Sequence, residues 1–349
     1  MISFRQYILS IMRDKRKGPL AFILKGVLYV LSFVYGAALK GIELAYKYGI
    51  RKKYKVDIPV ISIGNITVGG TGKTPFAMFL ADQLVSVGRK PGILIRGYGE
   101  DENVVLREEL PETVVYVGQD RLKNAKTAIS DGIDVLILDD GFQHRRLKKD
   151  LNIVLIDSIS CFGNGFLLPR GILREPVVSL KRADIFVLTK TDRALPGQIE
   201  KIKKHLKPLI LEKPVIYARH RPTFLTDVTG AAYSVDTVSG KRVCLVSGIG
   251  DPSYFAFLVN GLNADIVLKK EYTDHHSYGQ RDIVDIYKDC LKFDVEMVLT
   301  TKKDFVKIRD LDISLIEEIL FVLNVSMDIS EGKESLIAGF NSVFCGKRA

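Results

Sequence analysis

The stretch from Ile58 to Pro75 constrains the fold of this chain more than any other. An apolar, β-branched segment at 58–63 runs into a glycine-rich turn that ends in Gly72-Lys73-Thr74, and the pattern at 76–85 predicts a helix. A strand, a glycine-rich loop and a helix in this order form a cradle for phosphate. Backbone N–H groups and the helix N-terminus face the anion, the lysine reaches the outer phosphates, and the threonine hydroxyl ligates Mg²⁺. The sequence therefore predicts a nucleoside triphosphate site.

The glycine-rich loop departs from the common phosphate-loop pattern at one position. In G-x-x-x-x-G-K-[ST] the first glycine would fall on Thr67, so this variant loop relies on Gly69 and Gly70 instead. We expect Lys73 to serve catalysis as well as binding, because its ammonium would neutralise charge on the outer phosphates. The residues expected to bind the triphosphate are Asn65, Thr67, Val68, Gly69, Gly70, Thr71, Gly72, Lys73 and Thr74.

Length and cysteine content set broad limits. A chain of 349 residues is long for a single hydrophobic core, so two domains are expected. The four cysteines, Cys161, Cys244, Cys290 and Cys345, show neither paired nor metal-type spacing. They are typical of reduced thiols in a cytosolic compartment.

The basic charge of the chain is concentrated at its N-terminus. The net charge is +10, and residues 1–55 hold twelve Lys and Arg against Asp14 and Glu43, so the remainder of the chain is balanced. The bulk of the chain is therefore not a nucleic-acid-binding surface. A segment that is both basic and apolar indicates an anionic membrane face instead.

An uncharged stretch of fourteen residues, 26–39, lies within this basic segment. It is too short to predict a membrane span and suits a helix at an interface or in a core. On a helical wheel, a narrow polar stripe interrupts a broad apolar surface. The stripe consists of Lys25, Ser32, Gly36, Lys40, Glu43 and Lys47. We expect residues 1–55 to form a basic amphipathic segment that associates with a membrane; the alternative is a buried packing helix with basic ends.

Apolar runs alternate with helical patterns after the phosphate loop. The predicted strands are 92–95, 114–117, 135–138, 153–156 and 185–188. This alternation predicts an α/β fold, a P-loop NTPase-like doubly wound parallel sheet with helices on both faces. A second, smaller α/β domain is expected to begin near Arg242. The expected divisions are the N-terminal segment 1–55, a P-loop core 56–212, a connector 213–240 and a C-terminal α/β domain 241–349.

Two adjacent carboxylates, Asp139 and Asp140, follow the predicted strand 135–138. A strand that ends in acid places a carboxylate beside the Mg²⁺ held by Thr74. With two acids, one can face the metal while the other accepts a proton from a nucleophilic hydroxyl, and either residue could take either role. Gln143 and His144 extend this polar cluster beyond the needs of a solvated turn, which is the alternative.

Other groups with chemical potential lie outside this block. Asp274-His275-His276 is the second concentration of acid–base groups, although histidines are often structural. Arg170 and Arg174 lie on a loop stiffened by proline and glycine, which suits bidentate binding of phosphate or, alternatively, a solvated basic loop. Arg96 opens a turn, Arg96-Gly-Tyr-Gly99, that could face an anion.

Taken together, these blocks resemble the tetraacyldisaccharide 4′-kinases, the membrane-associated kinases of lipid A biosynthesis. In order, the blocks are Ile63–Pro75, Arg96–Gly99, Leu138–His144, Gly171–Pro176 and Asp274-His275, with further similarity at Leu31–Gly36 and Gly248–Pro252. The similarity covers nearly the whole chain. Its first and third blocks are specific, and the others support them.

The resemblance implies transfer of the ATP γ-phosphate, with Mg²⁺, to the 4′-hydroxyl of a lipid A disaccharide 1-phosphate precursor between two α/β domains. It implies a carboxylate–histidine pair as base, which falls on Asp139 and His275, and a metal held by Thr74 and Asp140. The residues that it implies for positioning the substrate and its phosphate are Arg96, Asp140, His144, Arg170 and Arg174.

The resemblance also implies where the protein works. Its partners would be the glycolipid substrate and the inner-membrane surface, on the cytoplasmic face, with peripheral or monotopic attachment. No nucleic acid and no obligate protein partner is expected. Where the family has an acidic Gly-Asp-Glu-Pro block, we identify Val117-Gly-Gln-Asp120 here, so the contacts of that block are in question.

A second function class is compatible with part of the sequence. Thr189-Lys-Thr-Asp192 resembles the [NT]-K-x-D element that reads guanine, so a membrane-peripheral P-loop GTPase or ATPase switch is the alternative. The absence of Cys/His metal-delivery spacing and the membrane-type N-terminus disfavour it. A kinase needs a lipid acceptor, whereas a switch hydrolyses GTP slowly without one.

Overall fold

The computed structural model describes residues 4–97, 100–210 and 212–345. Its strands are β1 (Val60–Gly64), β2 (Pro91–Ile95), β3 (Val114–Val117), β4 (Val135–Leu138), β5 (Leu151–Asp157), β6 (Ile185–Thr189), β7 (Val215–Thr226), β8 (Ala232–Tyr233), β9 (Arg242–Ser247), β10 (Asp265–Glu271), β11 (Met297–Thr301) and β12 (Leu320–Glu331). Its α-helices are α1 (Phe4–Met12), α2 (Pro19–Lys47), α3 (Lys73–Ser86), α4 (Glu100–Glu109), α5 (Arg121–Ser130), α6 (Gln198–Ile210), α7 (Pro252–Asn260), α8 (Gln280–Lys292), α9 (Lys302–Ile308) and α10 (Lys333–Cys345).

All of these strands belong to one sheet. Its first half has the order β6-β5-β1-β4-β2-β3, and every neighbouring pair is parallel. Its second half, β10-β9-β11-β12, is also parallel. The predicted doubly wound parallel arrangement is therefore confirmed. In the first half the chain winds outward on both sides of β1, and ligands of open α/β sheets bind at such a point, beyond the carboxyl ends of the strands.

Strand β7 joins the two halves of the sheet. It runs parallel to β6 and antiparallel to β12, with which it pairs from Tyr217 to Thr226. The segment 213–240, expected to be a connector, thus contains a long strand, and the two predicted α/β units share one continuous sheet. The domain boundaries themselves stay a prediction.

The C-terminal helix returns to the first half of the molecule. Leu336, Phe340 and Val343 of α10 join the core that surrounds Ile61 and Ile63 of β1. Every residue of β1 is buried, as expected for a strand in the middle of a parallel sheet with both faces covered. This packing fixes the end of β1, and with it the phosphate loop that follows.

Helix α2 is apolar but largely exposed. Its 29 residues are long and apolar enough to cross a membrane, and 11% of its most apolar window is buried. Phe22 is 79% exposed and Phe33 is 64% exposed. Among its side chains, Ala21 and Ser32 are buried. The alternative of a buried packing helix is therefore not supported, since most of the apolar side chains of α2 are exposed.

Candidate active site

The phosphate loop has the backbone that its glycines predict. Gly69 has φ of 119° and Gly72 has φ of 82°, the left-handed region that favours glycine. Gly72 is the residue before α3, so the N–H groups of the first turn of this helix open onto the loop. The Asn65 amide donates to the Thr71 hydroxyl at 2.9 Å and braces the loop from within. The result is an anion cradle at the end of β1.

A loop from the second half of the sheet approaches this cradle closely. A Cβ atom on Gly250 would lie 2.9 Å from the backbone nitrogen of Gly70, so this approach requires glycine. A cavity of about 340 Å³ lies between the two halves, and the phosphate loop forms one wall. Its apolar lining includes Met78, Val105, Ile249, Phe255, Leu258 and Leu323. A cavity that combines an anion cradle with an apolar wall suits a nucleotide.

The adjacent carboxylates at the end of β4 have opposite environments. Burial raises the pKa of Asp139 to about 6, and the neighbouring Glu102 adds to this effect. Burial also acts on Asp140, but the Arg174 guanidinium outweighs it and holds the pKa of Asp140 at about 2. The two Arg174–Asp140 hydrogen bonds measure 2.7 and 2.8 Å. Lys73 Nζ lies 3.7 Å from the same carboxylate.

The donor atoms near Thr74 suit a magnesium ion. The Thr74 hydroxyl lies 3.5 Å from a carboxylate oxygen of Glu102, and Glu102 is close enough to Asp139 to raise its pKa. A hydroxyl and two carboxylates are hard oxygen donors that leave positions for water and phosphate oxygens. Within the described part of the chain, no group of three or more His, Cys, Asp or Glu side chains could hold a metal by itself. Asp140, a predicted metal ligand, is paired with Arg174, and Glu102 is paired with Lys303. The roles of Thr74 and Asp140 in holding the metal stay a prediction.

The structure places His275 beside Asp101 rather than beside the predicted partner Asp139. His275 Nδ1 lies 3.1 and 3.2 Å from the two carboxylate oxygens of Asp101, in the first turn of α4. Burial raises the pKa of Asp101, but His275, Lys307 and Lys303 together outweigh it and bring the pKa below its usual value. His275 also lines the cavity beside the phosphate loop. The structure therefore forms a carboxylate–histidine pair at the site with a different carboxylate.

Two other predicted groups have mainly structural contacts. Arg170 is buried and donates to Asp14 at 2.8 and 3.1 Å, so it ties the N-terminal segment to its loop rather than facing the phosphate cradle. The neighbour of His275, His276, lies 3.0 Å from Asp282 and stacks on Tyr272. The structure thus gives Arg170 a structural partner, and its expected role in binding phosphate stays a prediction.

The remaining predicted positions lie around Arg121, which is buried and donates to the backbone oxygen of Asp139 at 2.7 Å. Burial and the nearby Arg121 lower the pKa of His144 to about 4, so this ring is neutral at physiological pH. Arg96 is exposed at the end of β2, within electrostatic range of Arg121. Tyr98 and Gly99 of the predicted turn lie outside the described residues. Roles for Arg96 and His144 in substrate binding stay a prediction.

Sequence reasoning missed the acids at the start of α4. Glu102 lines the cavity, and Asp101 contacts the cavity residue His275. Asp120, in the segment where we expected the family's acidic block, caps α5 by accepting from the backbone N–H groups of Leu122 and Lys123. A signal was present: the two acids follow strand β2, whose carboxyl end lies at the same edge of the sheet as those of β1 and β4.

The element that resembles a guanine reader is occupied by internal contacts. Lys190 is buried, and its ammonium lies 2.5 Å from both Asp157 and Asp251. The carboxylate of Asp192 accepts a hydrogen bond from the Tyr254 hydroxyl at 3.0 Å. Neither side chain is available to a guanine ring in this arrangement, so the GTPase switch is not favoured.

Comparison with known proteins gives one consistent result. Residues 24–342 match the family model described as tetraacyldisaccharide-1-P 4′-kinase. A tetraacyldisaccharide 4′-kinase of Anaeromyxobacter sp. (strain K) is 34% identical and aligns over 94% of this chain and 93% of its own length. The enzyme of that name from Syntrophus aciditrophicus (strain SB) is 35% identical over 85% and 87% of the two chains. The crystal structure of LpxK from Aquifex aeolicus in complex with ATP is 28% identical, with a TM-score of 0.71 over 92% of this chain and 99% of that one.

Proposed function

The chain belongs to the tetraacyldisaccharide-1-P 4′-kinase family, and on this premise we propose how its own residues carry out the reaction. It is a lipid kinase that uses ATP and Mg²⁺ to phosphorylate the 4′-hydroxyl of a disaccharide 1-phosphate precursor of lipid A. The observation that carries our assignment of the base is the contact of Asp101 with His275, which lines the same cavity as the phosphate loop.

Asp101 is the general base in this proposal. A sugar hydroxyl is a poor nucleophile, so its proton must pass to a base as the oxygen attacks the γ-phosphorus. The lowered pKa of Asp101 keeps it ionised at neutral pH, ready to accept that proton. The new bond joins the 4′-oxygen to the γ-phosphorus, the bond from the γ-phosphorus to the β–γ bridging oxygen breaks, and ADP leaves. His275 orients the carboxylate through its contact with both carboxylate oxygens.

Cationic groups beside the phosphate loop stabilise the transferred phosphoryl group. Lys73 follows Gly72 at the start of α3, and its ammonium lies 3.5 Å from the Asn65 side-chain oxygen. Arg174 is held at the same place by Asn65 and Asp140. Preorganised charges of this kind lower the barrier because they need no rearrangement during the reaction. Thr74, Asp139 and Glu102 would hold Mg²⁺, which polarises the phosphoryl oxygens when it is bound.

We place the protein at the cytoplasmic face of the inner membrane, attached through its N-terminal segment. The support is the exposed apolar surface of α2 together with the basic residues that flank it, Arg13, Lys15 and Arg16 before it and Arg51 and Lys52 after it. An apolar helix with basic ends binds an anionic bilayer surface. On that face, both ATP and an acylated sugar anchored in the leaflet can reach the cavity.

A reconstituted assay tests this function. The full chain in detergent is incubated with ATP labelled at the γ-phosphate, Mg²⁺ and disaccharide 1-phosphate, and the labelled lipid is separated and its 4′-phosphate identified. We expect lipid-dependent transfer with ATP and much slower transfer with GTP. If GTP is hydrolysed equally well without lipid and no labelled lipid forms, the result would support the GTPase switch instead of the kinase.

A further inference from the structure

Helix α2 meets the body of the protein through a buried hydroxyl. Ser32 is 7% exposed although its neighbours Leu31 and Phe33 are 46% and 64% exposed. Its Oγ lies 2.9 Å from the backbone oxygen of Leu167 and accepts a hydrogen bond from the backbone N–H of Arg170 at 3.0 Å. A buried hydroxyl that bonds a segment 135 residues away specifies where the helix docks.

A second contact lies one helical turn further along α2. The Tyr35 hydroxyl donates to the backbone oxygen of Arg174 at 2.8 Å. The next residue, Gly36, brings the helix backbone against Leu167, since a Cβ atom there would lie 3.1 Å from a Leu167 methyl carbon. We call residues 167–174 the arginine loop. Ser32 therefore holds its first part, and Tyr35 holds its last residue.

The arginine loop is bonded on its other side to the chain that leads into the phosphate loop. Arg174 donates its backbone N–H to the oxygen of Ile66 at 2.7 Å, and Val68 donates to the oxygen of Ile172 at 2.8 Å. At the same point the Arg174 guanidinium contacts Asp140 and Asn65. A continuous chain of hydrogen bonds thus runs from the apolar helix through the arginine loop to the nucleotide cradle.

We propose that Tyr35 and Ser32 are positioning residues of the kinase, through which the docking of α2 sets the place of Arg174 in the active site. The inference rests on the role of Arg174 under Proposed function.

The arginine loop contains no helix or strand. Its only regular backbone pairings among the described residues are isolated β-bridges, one to Thr67 and one between its own residues Leu167 and Leu173. Its position depends on the hydrogen bonds at its edges together with the buried side chains of Ile172 and Leu173. Helix α2 supplies two of the residues that make those hydrogen bonds. Helix α2 thus serves both as a membrane anchor and as the element that positions the arginine loop at the active site.

The test compares two tyrosines of the same region in the full-length protein. Tyr35→Phe removes the hydrogen bond to Arg174 and keeps the ring, whereas Tyr48→Phe removes a hydroxyl from a side chain that is 71% exposed. Losing one hydrogen bond of ordinary strength should lower kcat of Tyr35→Phe by about 3- to 10-fold. Tyr48→Phe should match the wild type, and both variants should bind vesicles of anionic phospholipid as the wild type does.

A double-mutant cycle separates positioning from a general loss of stability. If Tyr35 acts through Arg174, adding Tyr35→Phe to Arg174→Ala should cause no further loss of kcat. Three outcomes would overturn the inference. Tyr35→Phe could lower kcat as much in the Arg174→Ala background as in the wild type, or it could lower kcat no more than Tyr48→Phe does. The Tyr35→Phe variant could also fail to bind the vesicles. Full activity of the single variant Arg174→Ala would instead show that Arg174 does not stabilise the transferred phosphoryl group. That result would refute the proposed role of Arg174, on which the inference depends.

Discussion

At the scale of single residues, the two neighbouring aspartates after β4 are tuned in opposite directions. Asp139 is buried close to a second carboxylate, Glu102, and has a pKa of about 6. Asp140, one residue on, has a pKa of about 2 because Arg174 and Lys73 stabilise its charge. A buried carboxylate is costly to ionise without a nearby cation, so its charged form is stabilised most when a metal ion binds beside it. This difference supports Asp139 as the metal ligand and Asp140 as the partner of Arg174.

The shifted pKa of Asp139 predicts a stabilising variant. The folded chain binds this proton more tightly than the unfolded chain, whose value is 3.8. The stabilising contribution is therefore complete below about pH 3.8 and is lost as the pH rises through about 6. Asp139→Asn cannot ionise, so it should raise the free energy of unfolding at pH 7.5 by up to about 3 kcal/mol. Thermal melting without nucleotide at pH 7.5 and pH 4 measures this, and the gain should be much smaller at pH 4.

Asp140→Asn is the matched control, with the opposite sign. The pKa of Asp140 is lowered, so its contribution is present above about pH 3.8 and is lost as the pH falls towards 2. Its replacement should lower the melting temperature at pH 7.5. Both variants should lose kinase activity. A destabilised Asp139→Asn would contradict the environment that we assign to this carboxylate.

The Asp101–His275 pair predicts non-additive losses of activity. Asp101→Asn and His275→Ala should each lower kcat by about 100-fold or more, as expected for loss of a general base or of the group that orients it. The double variant should be little worse than the worse single variant, because the two residues act as a unit. Steady-state kinetics at saturating ATP measures this, and ATP binding should survive in each case.

His276→Ala is the control for this pair, since His276 contacts Asp282 instead. We expect it to retain most of its kcat. A loss at His276 equal to that at His275, or multiplicative losses in the double variant, would exclude the pair as the base.

At the scale of elements, α2 leaves most of its apolar side chains exposed. A matched pair of substitutions tests whether a membrane covers them. Val30 in α2 and Leu291 in α8 are each 62% exposed, and each can be replaced by glutamate. A charged side chain costs roughly 2.5–3.5 kcal/mol at the centre of a membrane-spanning helix, so Val30→Glu should weaken binding to anionic vesicles by about tenfold or more. Leu291→Glu should bind as the wild type does.

Vesicle flotation measures the bound fraction of both variants. If Val30→Glu floats as well as Leu291→Glu, the exposed surface of α2 does not enter the bilayer. Release of the intact wild type by moderate salt alone would show that the basic residues, rather than the apolar face, hold the protein on the membrane.

At the scale of the whole molecule, the site exists because two halves of one sheet meet. They approach closely at Gly250, where a Cβ atom would lie 2.9 Å from the backbone nitrogen of Gly70. Gly250→Ala should force the halves apart and raise KM for ATP by about tenfold, within the usual range of overpacking costs. Gly279→Ala is the control, because a Cβ atom on Gly279 meets nothing within 4 Å. An unchanged KM for Gly250→Ala would show that the contact does not shape the nucleotide cavity.

The sequence by itself determined the local parts of this protein. Strand β1, the glycine turn and helix α3 follow from hydrophobic periodicity and from backbone angles that only glycine adopts readily, so the residues at 58–85 are sufficient to predict the phosphate loop. The position of Asp139 and Asp140 at a strand end follows from the same local rules, as does the polar stripe of α2.

The tertiary structure alone decided which distant groups meet. His275 lies 174 residues from Asp101, and Arg170 lies 156 residues from Asp14. Each pairing depends on how β7 and β12 join the halves and on where α2 docks. Periodicity specifies which face of an element is buried, but many acids have suitable positions along the chain. The partner of His275 is set by the packing of whole elements, so the sequence could single out this histidine but not the carboxylate that it contacts.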